Sequence, residues 1–135
     1  MNAQASNSQD EWYRWSLQSV RGYAVFTTNL QGRIVTWDQG AIDLFEYRRE
    51  DVVGQDARFI FTTEDIRQNE PAVEMANAIG HRSARDERWH VRKDGTLFWA
   101  SGLLMAILDD EGRHVGFIKI VRPRPPPEKP RGGPG

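Results

Sequence analysis

The stretch from Arg85 to Arg122, RDERWHVRKDGTLFWASGLLMAILDDEGRHVGFIKIVR, decides the fold class. Asp94-Gly95 and Asp109-Asp110-Glu111-Gly112 are turn signals: glycine reaches the left-handed backbone that a tight hairpin needs, and aspartate hydrogen-bonds to the backbone just ahead of it. Around them lie three runs rich in β-branched and aromatic residues, Arg85–Lys93, Thr96–Leu108 and His114–Arg122, which read as strands. Such short connections make neighbouring strands antiparallel. Along the long run the two-residue period puts Phe98, Ala100, Gly102, Leu104, Ala106 and Leu108 on one face. Leu97, Trp99, Ser101, Leu103, Met105 and Ile107 fall on the other. Both faces are largely apolar, so both sides of this sheet require cover.

Working toward the N-terminus, Tyr23–Thr28, the turn Asn29-Leu30-Gln31-Gly32 and Arg33–Trp37 form a further hairpin. Asp38 caps a short helix through Phe45, and Arg49–Gly54 reads as one more helical turn. Thr63 begins a longer helix reaching about Ile79, and Pro71 inside it fits a helix that becomes regular only from Pro71 onward. The sum is an α+β domain over 23–122: one five-stranded antiparallel sheet with helices over one face. Residues 10–22 read as a flanking amphipathic helix, with Tyr13, Leu17 and Val20 at i, i+4 and i+7 and Trp12 and Trp15 widening the stripe. Residues 1–9 are too polar to pack and read as disordered. Residues 123–135 hold six of the seven prolines and read as a solvated polyproline and glycine tail, with Pro127-x-x-Pro130 spacing inside it.

Composition removes whole classes of function. A chain of 135 residues is one domain's worth and can bury a core without staples. Its 18 basic and 19 acidic residues leave a formal charge of −1, not the basic surface of a protein that coats nucleic acid or anionic membrane. There is no cysteine, hence no thiol nucleophile, iron–sulfur cluster or cysteine zinc site. The first residues carry neither a basic cluster nor an apolar run, and no stretch approaches a membrane span, so a cytoplasmic protein is expected. Asp109-Asp110-Glu111 and Glu64-Asp65 sit at turns or helix starts, where capping explains them. Ser101 lacks nucleophile-elbow glycines, and no phosphate-cradling loop precedes a helix, so no enzyme activity and no metal site are expected.

The order of these pieces resembles the PAS sensory modules, in particular bacterial "sensory box" domains such as those of sensor histidine kinases. The pieces are Val25–Trp37 running into Asp38–Tyr47, then Val52-Val53-Gly54, Phe61-Thr62-Thr63-Glu64-Asp65, Trp89–Trp99 and Gly112–Phe117, over about Val20 to Arg122. The resemblance implies a curved sheet whose concave face, beneath the middle helices, can hold a ligand, with signalling through end helices and dimers to a separate or fused effector such as a histidine kinase. By the same resemblance Phe26, Thr28, His90, Ala100, Gly102 and Ile118 face the interior, Ile118 being placed by anchoring the last strand on Gly116. An inward His90 needs a hydrogen-bond partner, for which Asp56, Thr28, water or a ligand are the candidates.

Gly54–Phe61 is similar to the flavin loop of the LOV photosensors, a PAS subclass, and shares Arg58 and Phe59 with it. Ala57 stands at the photoactive cysteine position, Asp56 replaces an asparagine and Phe61 a glutamine; the amides that hold the flavin ring align with His90, Ala100 and Ile118. Haem-binding relatives present an axial histidine from the long middle helix, and Thr63–Ile79 has none; Met75 is the alternative ligand there. The expectation is no cofactor, with flavin or haem as alternatives. The expected ligand-binding set is thus Phe26, Thr28, Arg58, Phe59, His90, Ala100, Gly102 and Ile118. Trp99, Leu103, Met105 and Phe117 on the second sheet face, with Trp12, Trp15, Leu17 and Val20 of the flanking helix, are the expected homodimer interface. Two functional readings follow: a regulatory module that binds a small ligand or a partner protein and signals through dimerisation, or a structural dimerisation domain with a filled core.

Overall fold

The computed structural model describes residues 22–127, together with Gln9. The expected helix over 10–22, with Trp12, Trp15, Leu17 and Val20, lies outside the described residues apart from Gly22, as does the tail beyond Pro127. In chain order the elements are β1 (Ala24–Asn29), β2 (Ile34–Trp37), α1 (Gln39–Phe45), α2 (Arg49–Val52), a 3-10 turn (Ala57–Ile60), α3 (Thr63–Arg67), α4 (Glu70–His81), β3 (Ser83–Val91), β4 (Leu97–Leu108) and β5 (His114–Pro123). The five strands form one antiparallel sheet in the order β2-β1-β5-β4-β3, so β5 returns from the second hairpin to pair with β1 at the centre. No helix among the described residues is long and apolar enough to cross a membrane.

Local chemistry sets the boundaries. Asn29 Oδ1 accepts from the backbone N–H of Gln31 and of Arg33, both at 3.0 Å, which closes the first hairpin. Asp109 Oδ1 does the same for Glu111 and Arg113 at 2.9 Å in the last hairpin. Asp38 Oδ1 accepts from Ala41 N at 2.8 Å, capping α1, and from Val25 N at 3.0 Å, so one carboxylate starts a helix and ties it to β1. The backbones meet closely enough here that a Cβ on Gly40 would overlap the Tyr23 carbonyl. The middle helix expected over Thr63–Ile79 is instead two helices: Asn69 adopts φ 61°, α3 ends before it, and α4 begins at Glu70 with Pro71 in its first turn.

The core lies between the sheet and α1. Trp37 stacks at a tilt on Phe26 with centroids 5.2 Å apart and on Phe45 at 5.5 Å, and Phe45 meets Phe98 edge-on at 5.4 Å. The indole N–H of Trp37 donates to the Tyr47 carbonyl at 3.1 Å, so this buried polar group is satisfied.

The last strand corrects the expectation for two residues. Phe117 is buried on the helix-covered face, not on the outer one, and Ile118 points outward, not into the interior. The pairing fixes this phase: Phe117 lies opposite Thr28 and Ala106, and Ile118 opposite Thr27 and Met105. The interior set of β5 is Phe117, Lys119 and Val121. The expectation rests on anchoring the strand on Gly116, where the β4–β5 pairing shifts register from Ile107–Gly116 to Leu108–His114.

Candidate functional site

Lys119 is buried because it has partners. Its ammonium bonds to Glu74 Oε1 on α4 and lies 3.3 Å from Asp86 Oδ2 on β3. Arg88, two residues beyond Asp86 on the same face of β3, binds Asp86 at 2.7 Å, Asp65 of α3 at 3.1 Å and Glu70 at 3.3 Å, with Glu74 at 3.8 Å. Four carboxylates thus surround two cations beneath α3 and α4. The imbalance has a consequence for protonation. Burial, together with a hydrogen bond to Asp86, pushes the Glu74 carboxyl up to about 7, against the pull of Lys119. Burial pushes Asp86 the same way, but its bonds with Glu74 and the charges of Lys119 and Arg88 win and hold it below the usual carboxylate range. A proton entering the pair therefore favours Glu74 over Asp86. Gly102 on β4 completes the arrangement, since a Cβ there would overlap the Asp86 carboxylate and crowd the Lys119 ammonium at 3.1 Å.

Beside this cluster is a cavity of about 320 Å³. Its floor is the sheet, with Phe26, Thr28, Leu104, Phe117 and Lys119; its roof is Glu74, Met75, Pro71 and Ala72 of α4 and Ile60 and Phe61 at the end of the 3-10 turn. Gln31, Arg58 and Asn69 are exposed residues on its rim. The Arg58 side chain pairs with Asp56 at 3.2 Å, and Asp56 Oδ1 also caps the 3-10 turn by accepting from Arg58 N.

Of the expected ligand-binding residues, Phe26, Thr28 and Arg58 line this cavity. Phe59 instead packs on Tyr47 and Trp37, with centroids 4.8 and 5.8 Å away. Ala100 is in the aromatic core, and the space beside Gly102 is taken by Asp86 and Lys119. His90 is wholly buried among Phe45, Phe61 and Phe98, and its Nδ1 donates to the Ile60 carbonyl at 2.9 Å, a partner outside the four candidates. Burial, aided by the Lys119 charge, lowers its pKa to about 4, so it is neutral at pH 7, and its Nε2 has no hydrogen-bond partner among the described residues. Sequence reasoning missed Glu74, Lys119 and Phe61 as parts of the site. The signal was there: Pro71, Glu74 and Ala78 are the buried stripe of α4, and an acid within an apolar stripe marks a buried charge that needs a counter-ion.

The lining does not suit a flavin. A buried isoalloxazine edge needs amide donors and acceptors, yet Ala100 sits in the core, Ile118 points away, and ion pairs fill the interior next to β3. The cavity is lined by no histidine that could hold haem iron; Met75 is its one soft ligand.

The comparisons with known proteins agree with this architecture. The profile of the PAS domain family matches residues 22–122. Two-component system protein A of Emericella nidulans is 32% identical over 126 residues, covering 90% of this chain but only 18% of that protein. Among solved structures, the PAS domain of a Colwellia psychrerythraea protein superposes with a TM-score of 0.75 at 22% identity, over 83% of this chain and 94% of that one. The light-state LOV domain of the photoreceptor Aureochrome1 gives 0.65 at 23%, over 82% and 87%. With the family profile matching 22–122, and so all but the last residue of the strands and helices described above, the chain belongs to the PAS domain family.

Proposed function

We propose that this chain is a sensory module of a signal-transduction protein, without chemistry of its own, that holds a small ligand between α4 and the sheet. The observation that carries the reading is the cavity itself: it is bounded by two layers joined through Glu74, Lys119 and Asp86, so an occupant touches both. A ligand that changes the Glu74 contacts then changes how α4 sits on β3 and β5, and a small shift of a packed helix is the kind of movement that signalling domains transmit. The likeness to a two-component protein supports a histidine kinase or a comparable cytoplasmic effector as the recipient, and the chain spans about a fifth of that relative. Native mass spectrometry of the purified chain tests the reading: a stoichiometric, non-covalent small-molecule adduct lost on denaturation is expected, and a bare polypeptide mass under gentle conditions counts against it.

Signalling through a homodimer is part of the same proposal. The outer sheet face presents Trp89 and Trp99 edge-on at 5.4 Å, with Leu103, Met105, Ile118 and Ile120 half-buried around them. Exposed aromatic surface of this kind favours a partner. The structural reading, a dimerisation domain with a filled interior, draws on the fully packed half of the core around Phe45, Phe98 and His90.

A further inference from the structure

We propose that the cavity selects an uncharged, aromatic small molecule of one or two rings carrying a single hydrogen-bonding group, of the phenol type, whose polar group meets Glu74 and Lys119. This rests on the reading of the cavity as a ligand site and specifies the chemistry of its occupant.

The walls set the body of the molecule. Phe26, Phe61 and Phe117 present three rings, and Ile60, Met75 and Leu104 fill between them, so most of an occupant's surface meets carbon. Aromatic faces and edges favour a ring over a flexible chain, which would also lose more rotational freedom on binding. At about 320 Å³ the volume is at the low end for ligand pockets, which begin near 300 Å³. That size suits a body of one or two rings.

Glu74 and Lys119 set the polar group. They are the charged lining residues buried from solvent, with side chains 6% and 2% exposed, and they are bonded to each other. An anionic ligand would enter a cluster where four carboxylates already outnumber two cations. A cationic ligand would approach the Lys119 ammonium, which already lies 5.8 Å from the centre of the Phe61 ring and uses that face. Either charge loses its hydration without gaining a free counter-ion. A fully apolar ligand leaves the buried Glu74–Lys119 pair facing carbon on the cavity side. A hydroxyl both donates and accepts, and so matches Glu74 whether or not it holds its proton.

The test compares four probes of one shape, 1-naphthol, naphthalene, 1-naphthoate and 1-naphthylmethylammonium, by calorimetric or tryptophan-fluorescence titration of the whole chain. The expected result is saturable 1-naphthol binding, with the other three weaker by tenfold or more. Leu104→Trp, which fills the cavity from the sheet side, is expected to abolish 1-naphthol binding. Glu74→Gln, which keeps a donor and an acceptor, is expected to retain the preference for naphthol over naphthalene, and Glu74→Leu to lose it. Naphthalene equal to naphthol, or a charged probe tighter than naphthol, with binding still lost in Leu104→Trp, overturns the chemical class and leaves the cavity a ligand site. Binding of no probe, or binding indifferent to Leu104→Trp, overturns the ligand-site reading as well.

Discussion

Lys119, Gly102 and Glu74 each affect the buried cluster in a different way. Lys119→Met removes the cation that holds Glu74 and Asp86 together and strands buried carboxylates, at an expected cost of about 3–5 kcal/mol read from the urea midpoint. Gly102→Ala forces a methyl group into the Asp86 carboxylate and is expected to cost about 1–3 kcal/mol, a large effect for one added methyl. Glu74 and His90 tilt the pH dependence of stability in opposite directions. Glu74 titrates near 7 when folded against an ordinary 4.5, so the folded state binds the extra proton between those values, and its contribution falls as pH rises through that window. His90 titrates near 4 when folded against 6.5, so the unfolded state binds the extra proton, and its contribution is lost as pH falls from 6.5 toward 4. Because Asp65, Glu70, Asp86, Arg88 and Lys119 also face this cluster, the diagnostic quantity is a difference. The stability of the native chain minus that of Glu74→Gln is expected to decline by at most about 3 kcal/mol between pH 4.5 and 7, measured by thermal melts across that range. A pH-independent difference would show that Glu74 does not carry the proton.

At the scale of elements, Asp38 has the widest reach, since its one carboxylate serves the N-terminus of α1 and the edge of β1. Asp38→Ala is expected to cost about 1–2 kcal/mol, seen as a lower melting temperature, and Asp38→Asn, which keeps the acceptor, markedly less. The same elements show what was legible in the sequence and why. Hairpins and caps were readable because Asn29, Asp38, Asp94 and Asp109 act on backbone groups a few residues away, so their chemistry is contained in a short window. The phase of β5 was not readable from its own window: the Gly116 anchor puts Ile118 inside, whereas the strand buries Phe117 and Lys119, and the partners that hold Lys119 there, Glu74 and Asp86, lie 45 and 33 residues away. The break at Asn69 was half-visible, with Pro71 marking the new helix start and nothing in the local pattern assigning φ 61° to Asn69. Of the site, the apolar walls Phe26 and Leu104 follow from strand alternation, whereas the polar end requires three elements at once and emerges only when they pack.

For the whole molecule, the sheet divides a packed and charged side from an outer face that keeps Trp89 and Leu97 exposed at 38% and 51%. If that face joins two copies, the chain sediments as a dimer, and Trp89→Glu with Met105→Glu shifts it to a monomer without lowering its melting temperature by more than a few degrees. Persistence of the dimer in the double variant would place the contact elsewhere. The outer depression formed by Arg85, Glu87 and Ser101 reaches the strands at Asp86 and Gly102, whose side-chain positions face inward. Only main chain separates the two sides at that point, so the sheet is locally a thin dielectric wall. A proton gained or lost by the Glu74–Asp86 pair alters the electric potential outside as well as inside, and any chain seated on the outer face at Ser101 would feel that change without a single strand moving.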